Sequence, residues 1–463
     1  MKSASQQFFL ILSALLVLSC AQEEEKKEEM AQFEVPVDYY TLDNGLKVIL
    51  SQDKTSPTAI VAVYYNIGFR IEPKNRTGFA HLFEHMMFQG SENLGKMEFV
   101  KLIQQNGGVL NGSTRFDFTN YFEIVPSHKL ETMLWAEADR MRGLDITQDN
   151  LTNQQGVVKN EVKVNVLNQP YGGFPWLDMP QYANKNWYNA HNFYGDLEDL
   201  DAANLEDVAS FFKTYYSPNN AALSVVGDFD LEETKKWIQK YFGDIPSAEL
   251  PLQPNISEPE QTEQKEFVKN DSLANKPAIA LAYHMPERNS PEYYAMGLLD
   301  QILVQGDNSL LVQKLENEKG FTSDVSGGIN YLGNMFNYKG PMLWMYNLTY
   351  DNDTSREDVL TAIDETMADL KANISQETLD RAVVKIRSQL YDELGGTFGL
   401  GRADLLATFA LFDDNPQRIN TLEEEFKKIT PEILKKTIDD YLINSNRTIL
   451  TVNPVLAEND KNQ

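Results

Sequence analysis

Ala59-Ile60-Val61-Ala62-Val63-Tyr64-Tyr65, followed by a segment from Gly78 to Phe88 that ends at Gln89-Gly90, has a diverged copy later in the chain. The copy reads Ala278-Ile279-Ala280-Leu281-Ala282-Tyr283, then Pro291 to Val304, ending at Gln305-Gly306. In each, a β-rich apolar run leads into a helical one. A second pair of echoes follows, Ile146-Thr147-Gln148-Asp149-Asn150-Leu151 and Ile374-Ser375-Gln376-Glu377-Thr378-Leu379, each opening a helix with a Thr or Ser of capping type. The echoes keep their order at offsets of 216 and 228 residues, so the chain reads as a duplication. Apolar alternation marks strands at Lys47 to Leu50 and Thr119 to Val125. Helical periodicity marks Leu130 to Met141, Leu151 to Val166, Leu205 to Tyr215 and Glu357 to Leu370. Strands and helices without strict βαβ alternation predict an α+β fold: two homologous, α/β-sandwich-like domains, each a mixed sheet covered by helices on one face.

A composition break from Pro246 to Glu266, with Pro251, Pro254 and Pro259 among Glu and Gln, predicts an extended linker. It divides the chain into near-equal halves, 33–245 and 267–463. The length of 463 residues with 42% hydrophobic content excludes both a single small domain and a disordered chain. A net charge of −27 without a long Lys or Arg run excludes a generic binder of nucleic acid or anionic membrane. The single cysteine excludes an intrachain disulfide and a cysteine-built zinc finger.

Cys20 directly follows the apolar run Phe8 to Ser19, which is shorter than the ~20 residues that span a bilayer and reads as a secretory signal. Val17-Leu18-Ser19-Cys20 resembles a bacterial lipobox; an ordinary signal peptide with an incidental cysteine is the alternative. The expectation is a lipoprotein signal over 1–20, lipidation at Cys20, a solvated tether over 21–32, and an exported, lipid-anchored protein facing the periplasm or the cell surface.

The chemistry lies in the first echo. His81-Leu82-Phe83-Glu84-His85 falls in a segment free of Pro and internal Gly. On a helix, positions four apart share a face, so both imidazoles can grip one cation with Glu84 beside them. The inverted His-x-x-Glu-His order is the inverzincin signature, in which the histidines bind zinc and the glutamate works on a water. Two buried helix histidines with local hydrogen bonds are the plainer alternative. An open zinc site needs a third protein ligand. His128, His191 and His284 have no partner at helical spacing, which leaves the third ligand to a residue elsewhere in the chain.

Phe79 to Ser91, together with Val157-Val158-Lys159-Asn160-Glu161 and Glu161 76 residues after His85, resembles the pitrilysin/insulinase and mitochondrial processing peptidase family of zinc peptidases. Gly107-Gly108, Asn111-Gly112-Ser113-Thr114, Pro170-Tyr171-Gly172, and Tyr216 to Ala221 running into Val225 to Phe229 extend the resemblance. It implies one Zn²⁺ per chain on His81, His85 and Glu161, with Glu84 as general base. It also implies an edge strand, Leu110-Asn111-Gly112-Ser113-Thr114, that receives peptide substrates by strand addition inside an enclosed chamber. From residues alone, that run reads equally as a Gly-containing edge or bulge, and Glu161 as a solvated helix charge.

Carried across the two offsets, His81, Glu84 and His85 fall on Gly297, Asp300 and Gln301, and Glu161 on Gln389, so the second half should hold no metal. Two departures from the family matter. Gln154 stands where many relatives carry a second glutamate seven residues before the third ligand, and as an outer-shell group it brings a hydrogen bond but no charge. Leu310 and Ser323 stand where active members place an Arg and a Tyr. The resemblance therefore implies a metal-bearing subunit of a heterodimer whose partner supplies that pair. A non-catalytic relative, or a lipid-anchored zinc- or peptide-binding protein, is the competing reading.

Overall fold

The computed structural model describes residues 34–396 and 399–455. The expected signal segment with Cys20, and the tether, lie outside the described residues. Strands are β1 (Asp38–Thr41), β2 (Lys47–Gln52), β3 (Thr58–Tyr65), β4 (Val109–Thr114), β5 (Thr119–Pro126), β6 (Ala221–Gly227), β7 (Lys265–Asp271), β8 (Ala278–His284), β9 (Val325–Ile329), β10 (Leu343–Thr349) and β11 (Arg447–Pro454). The helices that matter below are α1 (Phe79–Met86), α2 (Leu130–Arg142), α3 (Gln148–Val162), α4 (Leu205–Tyr215), α5 (Pro291–Leu303), α6 (Gln376–Gly395) and α7 (Leu400–Asp413).

The duplication is written in the sheets. One runs β1-β2-β6-β3-β5-β4, the other β7-β11-β8-β10-β9. Without β1, the two share one order and one set of directions: a parallel outer pair (β2 with β6, β7 with β11), then antiparallel pairing throughout. The fold is α+β, with two mixed sheets and helices packed on them. Residues 246–264 form neither helix nor strand, and β7 takes Lys265 and Glu266, the last two residues of the expected linker.

Side chains alternate across a strand, and both faces of β3 are buried. Ala59, Val61, Val63 and Tyr65 join one core with Leu82, Phe83 and Met86 of α1, Met133 and Leu134 of α2, and Leu151 and Val158 of α3. The opposite residues Ile60, Ala62 and Tyr64 are buried as well. Their cover comes from the second half of the sequence. Helix α7 lies across β2, β3 and β6, with Tyr64 Oη donating to Asp404 (2.8 Å) and Lys47 Nζ donating to Ala410 O (2.7 Å). The exchange is reciprocal: Met179 and Ala183, on the short helix Asp178–Ala183, pack against Ala280, Ala282, Leu343 and Leu450 of the second sheet.

Phe83 anchors α1 in this core, stacked on Phe211 at 4.9 Å between centroids and tilted against Tyr216 at 5.2 Å. Phe83→Ala should cost about 3–5 kcal/mol in urea denaturation, whereas Val157→Ala, at a position 41% exposed, should change stability by less than about 0.5 kcal/mol.

Candidate metal centre

Helix α1 starts abruptly, at a glycine that has no side chain of its own to cap it. Gly78 precedes it at φ +80°, where a Cβ would lie 2.4 Å from Tyr194 O, so both backbone and space require glycine. The first amides are satisfied by a buried carboxylate: Gly78 N donates to Glu72 Oε2 (2.9 Å) and Ala80 N to Glu72 Oε1 (2.5 Å). A carboxylate also complements the positive end of the helix dipole. Helix α3 starts at Thr147, whose Oγ1 accepts from Asn150 N (3.2 Å), as the capping signal predicts.

These two helices bring His81, His85 and Glu161 into one cluster. His81 Nε2 and His85 Nε2 are 3.4 Å apart. Glu161 Oε1 is 3.6 Å from His81 Nε2, and Oε2 is 3.3 Å from His85 Nε2. Three donors bound to a tetrahedral zinc at about 2.0–2.2 Å stand about 3.3–3.6 Å from one another. The observed separations are of that size, with the two Glu161 oxygens divided between the histidines. His81 is 3% exposed, and burial, helped by the neighbouring His85, brings its pKa down to about 4, so it stays in the neutral form that ligates. Its Nδ1 is buried without a partner among the described residues, which leaves Nε2 as the nitrogen engaged with the cluster. The Glu161 carboxyl is held below its usual range, chiefly by its hydrogen bond with His85. The donor set therefore fits a single divalent cation of the zinc type.

Glu84, one position before His85, accepts from Thr114 Oγ1 (2.7 Å). Burial pushes its carboxyl upward, against the lowering effect of that bond. Thr114 ends β4, so the glutamate is tied to the expected edge strand. Leu110, Asn111, Gly112, Ser113 and Thr114 all lie in β4, which among the described residues pairs only with β5 and forms the outer edge of its sheet. A Cβ on Gly112 would come within 3.3 Å of Glu84 Cγ and 3.1 Å of Tyr121, so this glycine lets the glutamate lie against the strand. A cavity of about 380 Å³ borders the same edge, lined by Asn111, Ser113 and Arg115 and, from the second half, by Glu393 and Asp404.

Gln154 is buried two turns before Glu161, but its amide donates to Asn153 Oδ1 (2.8 Å). The hydrogen bond to the third ligand comes instead from Tyr194, whose Oη donates to Glu161 Oε1 (3.3 Å). Burial, reinforced by the carboxylate, pushes that phenol up to about 12. The Tyr194 and Phe193 rings both lie 5.2 Å from the His81 ring. Tyr194 rests in a small cluster of its own with Val162 and Leu177. Neither aromatic was singled out from sequence; His191-Asn192-Phe193-Tyr194 has no periodicity to reveal it.

The second half keeps the frame without the donors. Gln301 Nε2 donates to Gln389 Oε1 (2.9 Å), so the counterparts of His85 and Glu161 still meet. At Gly297, the counterpart of His81, the Met335 side chain takes the space that a Cβ would need. Asp300, the counterpart of Glu84, accepts from Trp344 Nε1 (2.8 Å), and burial pushes its carboxyl up to about 7. Leu310 lines a groove with Gln301 and Lys385, and Ser323 is exposed before β9.

Two family profiles match the chain, the insulinase (peptidase family M16) domain over residues 47–186 and the peptidase M16 inactive domain over residues 202–385. The chain belongs to peptidase family M16. It is 25% identical to the zinc protease PqqE of Helicobacter pylori over 423 residues, covering 89% of this chain and 92% of that protein. It is 23% identical to the mitochondrial-processing peptidase subunit beta of Saccharomyces cerevisiae over 378 residues, covering 77% and 78%. A solved protease from Helicobacter pylori shares the fold, with a TM-score of 0.83, 24% identity, and coverage of 91% of this chain and all of that one.

Acid should weaken the metal-free chain. The folded chain refuses a proton at His81 until about pH 4, whereas the unfolded chain takes it up near 6.5. The stabilisation is thus complete above 6.5 and lost as pH falls towards 4, by roughly 3 kcal/mol for that group. The urea midpoint of metal-free protein should fall over this window, and fall less in His81→Gln.

Proposed function

We propose that this chain is a zinc metalloendopeptidase that hydrolyses peptides or unfolded segments, and that it works as the metal-bearing partner of a second subunit of the same family. The observation that carries this reading is the cluster of His81 Nε2 and His85 Nε2, 3.4 Å apart, with one Glu161 oxygen 3.6 Å from the first and the other 3.3 Å from the second, and Glu84 beside it, bound to the edge strand through Thr114. Bound there, Zn²⁺ supplies Lewis acidity, polarising a carbonyl and bringing the pKa of a water to about 7. The protein's own groups do the rest. His81, His85 and Glu161 hold the ion, and Tyr194 keeps the Glu161 carboxylate turned toward it. Glu84 receives a proton at its carboxylate and returns it to the leaving amine. The edge strand β4 orders an extended peptide by backbone hydrogen bonds, which give affinity without demanding sequence.

Leu310 and Ser323 supply neither a cation nor a phenol, and this favours a partner that brings both. The relation to a peptidase subunit named beta supports pairing. The same absence, with a second-half profile named for an inactive domain, favours the competing reading of a non-catalytic relative or a zinc- or peptide-binding protein. The resemblance of Val17-Leu18-Ser19-Cys20 to a lipobox supports an exported, lipid-anchored protein at the periplasmic face or cell surface. The domain plan that goes with this function is a zinc-bearing unit over 33–245, a connector over 246–266 and a metal-free unit over 267–463.

Purified chain should contain close to one zinc, and His81→Ala or Glu161→Gln should lose it. With a quenched peptide library and the partner present, Glu84→Gln should keep zinc and lose at least about 100-fold in turnover. Zinc without turnover, even with a partner added, would establish the binding protein instead. Full activity of the chain alone would remove the heterodimer. Tyr194→Phe should weaken zinc retention against a chelator by roughly tenfold.

A further inference from the structure

His191 is no metal ligand, yet its ring occupies a built socket beside the N-terminus of α1. The side chain is 5% exposed and stacks on Trp187, with centroids 4.2 Å apart and planes at 6°. Nε2 lies 2.7 Å from Phe69 O, and Nδ1 lies 3.1 Å from Trp187 O. A carbonyl oxygen only accepts. A neutral imidazole has one N–H, so one of its nitrogens would turn a lone pair on a carbonyl oxygen; an imidazolium donates to both.

The counter-charge is at hand. Glu72 Oε2 is 3.7 Å from His191 Nε2, and the Glu72 side chain is wholly buried. This is the carboxylate that accepts from Gly78 N and Ala80 N at the start of the metal-bearing helix. Among the described residues, no Lys or Arg forms an ion pair with Glu72. Arg70 is turned to Asp117 and Asn189, and Lys74 sits 5.3 Å over the Trp187 ring. Tyr188 and Tyr215 are phenols, the latter pushed upward by burial and by Glu72. Burial pushes the Glu72 carboxyl upward, and the His191 ring and the two amides oppose that; an uncharged ring at 191 would leave the amides alone to hold a buried anion, a costly state.

We propose that His191 is a positioning residue, an imidazolium that keeps Glu72 ionised and thereby locks the first turn of α1, with His81, in register for the cation. The protonation state stands on the socket alone. The effect on zinc rests on the peptidase reading above.

The test begins with zinc-free wild-type protein carrying ¹⁵N-labelled histidine. The chain has five histidines, and His191→Gln assigns the ring. Long-range ¹H–¹⁵N correlation at pH 7.5 should show both His191 nitrogens protonated; one bare nitrogen would overturn the proposal. This measurement decides the charge even if the variant fails to fold. In the second arm, His191→Gln and Glu72→Gln should each weaken zinc retention against a chelator by about tenfold, with the far-ultraviolet circular dichroism unchanged and His128→Gln as a neutral control. Unaltered zinc retention in folded variants would overturn the positioning role. A wild-type chain that holds no zinc would refute the peptidase reading and leave the nuclear magnetic resonance result to judge His191 by itself.

Discussion

The structure turns on one geometric constraint: two imidazoles on a single helical turn must meet a carboxylate from another helix at the edge lengths of a small tetrahedron. The first two donors are set by helix geometry, since positions four apart face the same way. The third is set by how α3 packs on α1, through the shared core of Leu82, Phe83, Leu151 and Val158. Both imidazole nitrogens and the carboxylate converge where a cation would satisfy all three. The surrounding groups keep them there: burial holds His81 neutral, Tyr194 steadies Glu161, and Thr114 steadies Glu84.

The second half of the chain shows that this frame does not depend on a metal. The same strand order carries the same pair of helices, and the counterparts of one histidine and of the third ligand meet as a Gln301–Gln389 hydrogen bond. Met335 fills the place of the other histidine, and Trp344 engages the acid that replaces Glu84. Packing of two helices on a mixed sheet is therefore the stable element. Chemistry is a matter of which side chains face inward at four positions. The two halves are also bound by exchange, each covering the other's sheet with a helix, so loss of α7 from β3 would expose apolar surface in the first half.

Much of this was legible in the sequence because it is local. The inverted histidine motif declares its face through spacing four, the Thr147 cap marks where α3 begins, and the alternation in β2 and β5 marks strands. The repeat was visible because Gln89-Gly90 and Gln305-Gly306 end equivalent segments. The choice of Glu161 needed the family resemblance, since nothing local sets it apart from other helix carboxylates. Tyr194, the Thr114 bond and the His191–Glu72 pair were illegible, being contacts between segments distant in the chain. The helix exchange leaves a trace in the sequence. Helix α7 is apolar nearly all round, with Ala403, Leu405, Leu406, Ala407, Phe409 and Ala410 buried, and a helix without a polar face is one enclosed on every side. Gln154 is the opposite case. Its position on the helix was right, but an amide with a near neighbour at Asn153 takes the nearer bond.

The central claim is that these three side chains clasp one zinc ion. X-ray absorption at the zinc edge on the purified chain tests it most directly. The account predicts a first shell of two imidazole nitrogens at about 2.0–2.1 Å and further oxygen scatterers at about 2.0–2.2 Å, with the imidazole signal reduced in His85→Ala. A chain without zinc, or a zinc shell unchanged by that substitution, would contradict it.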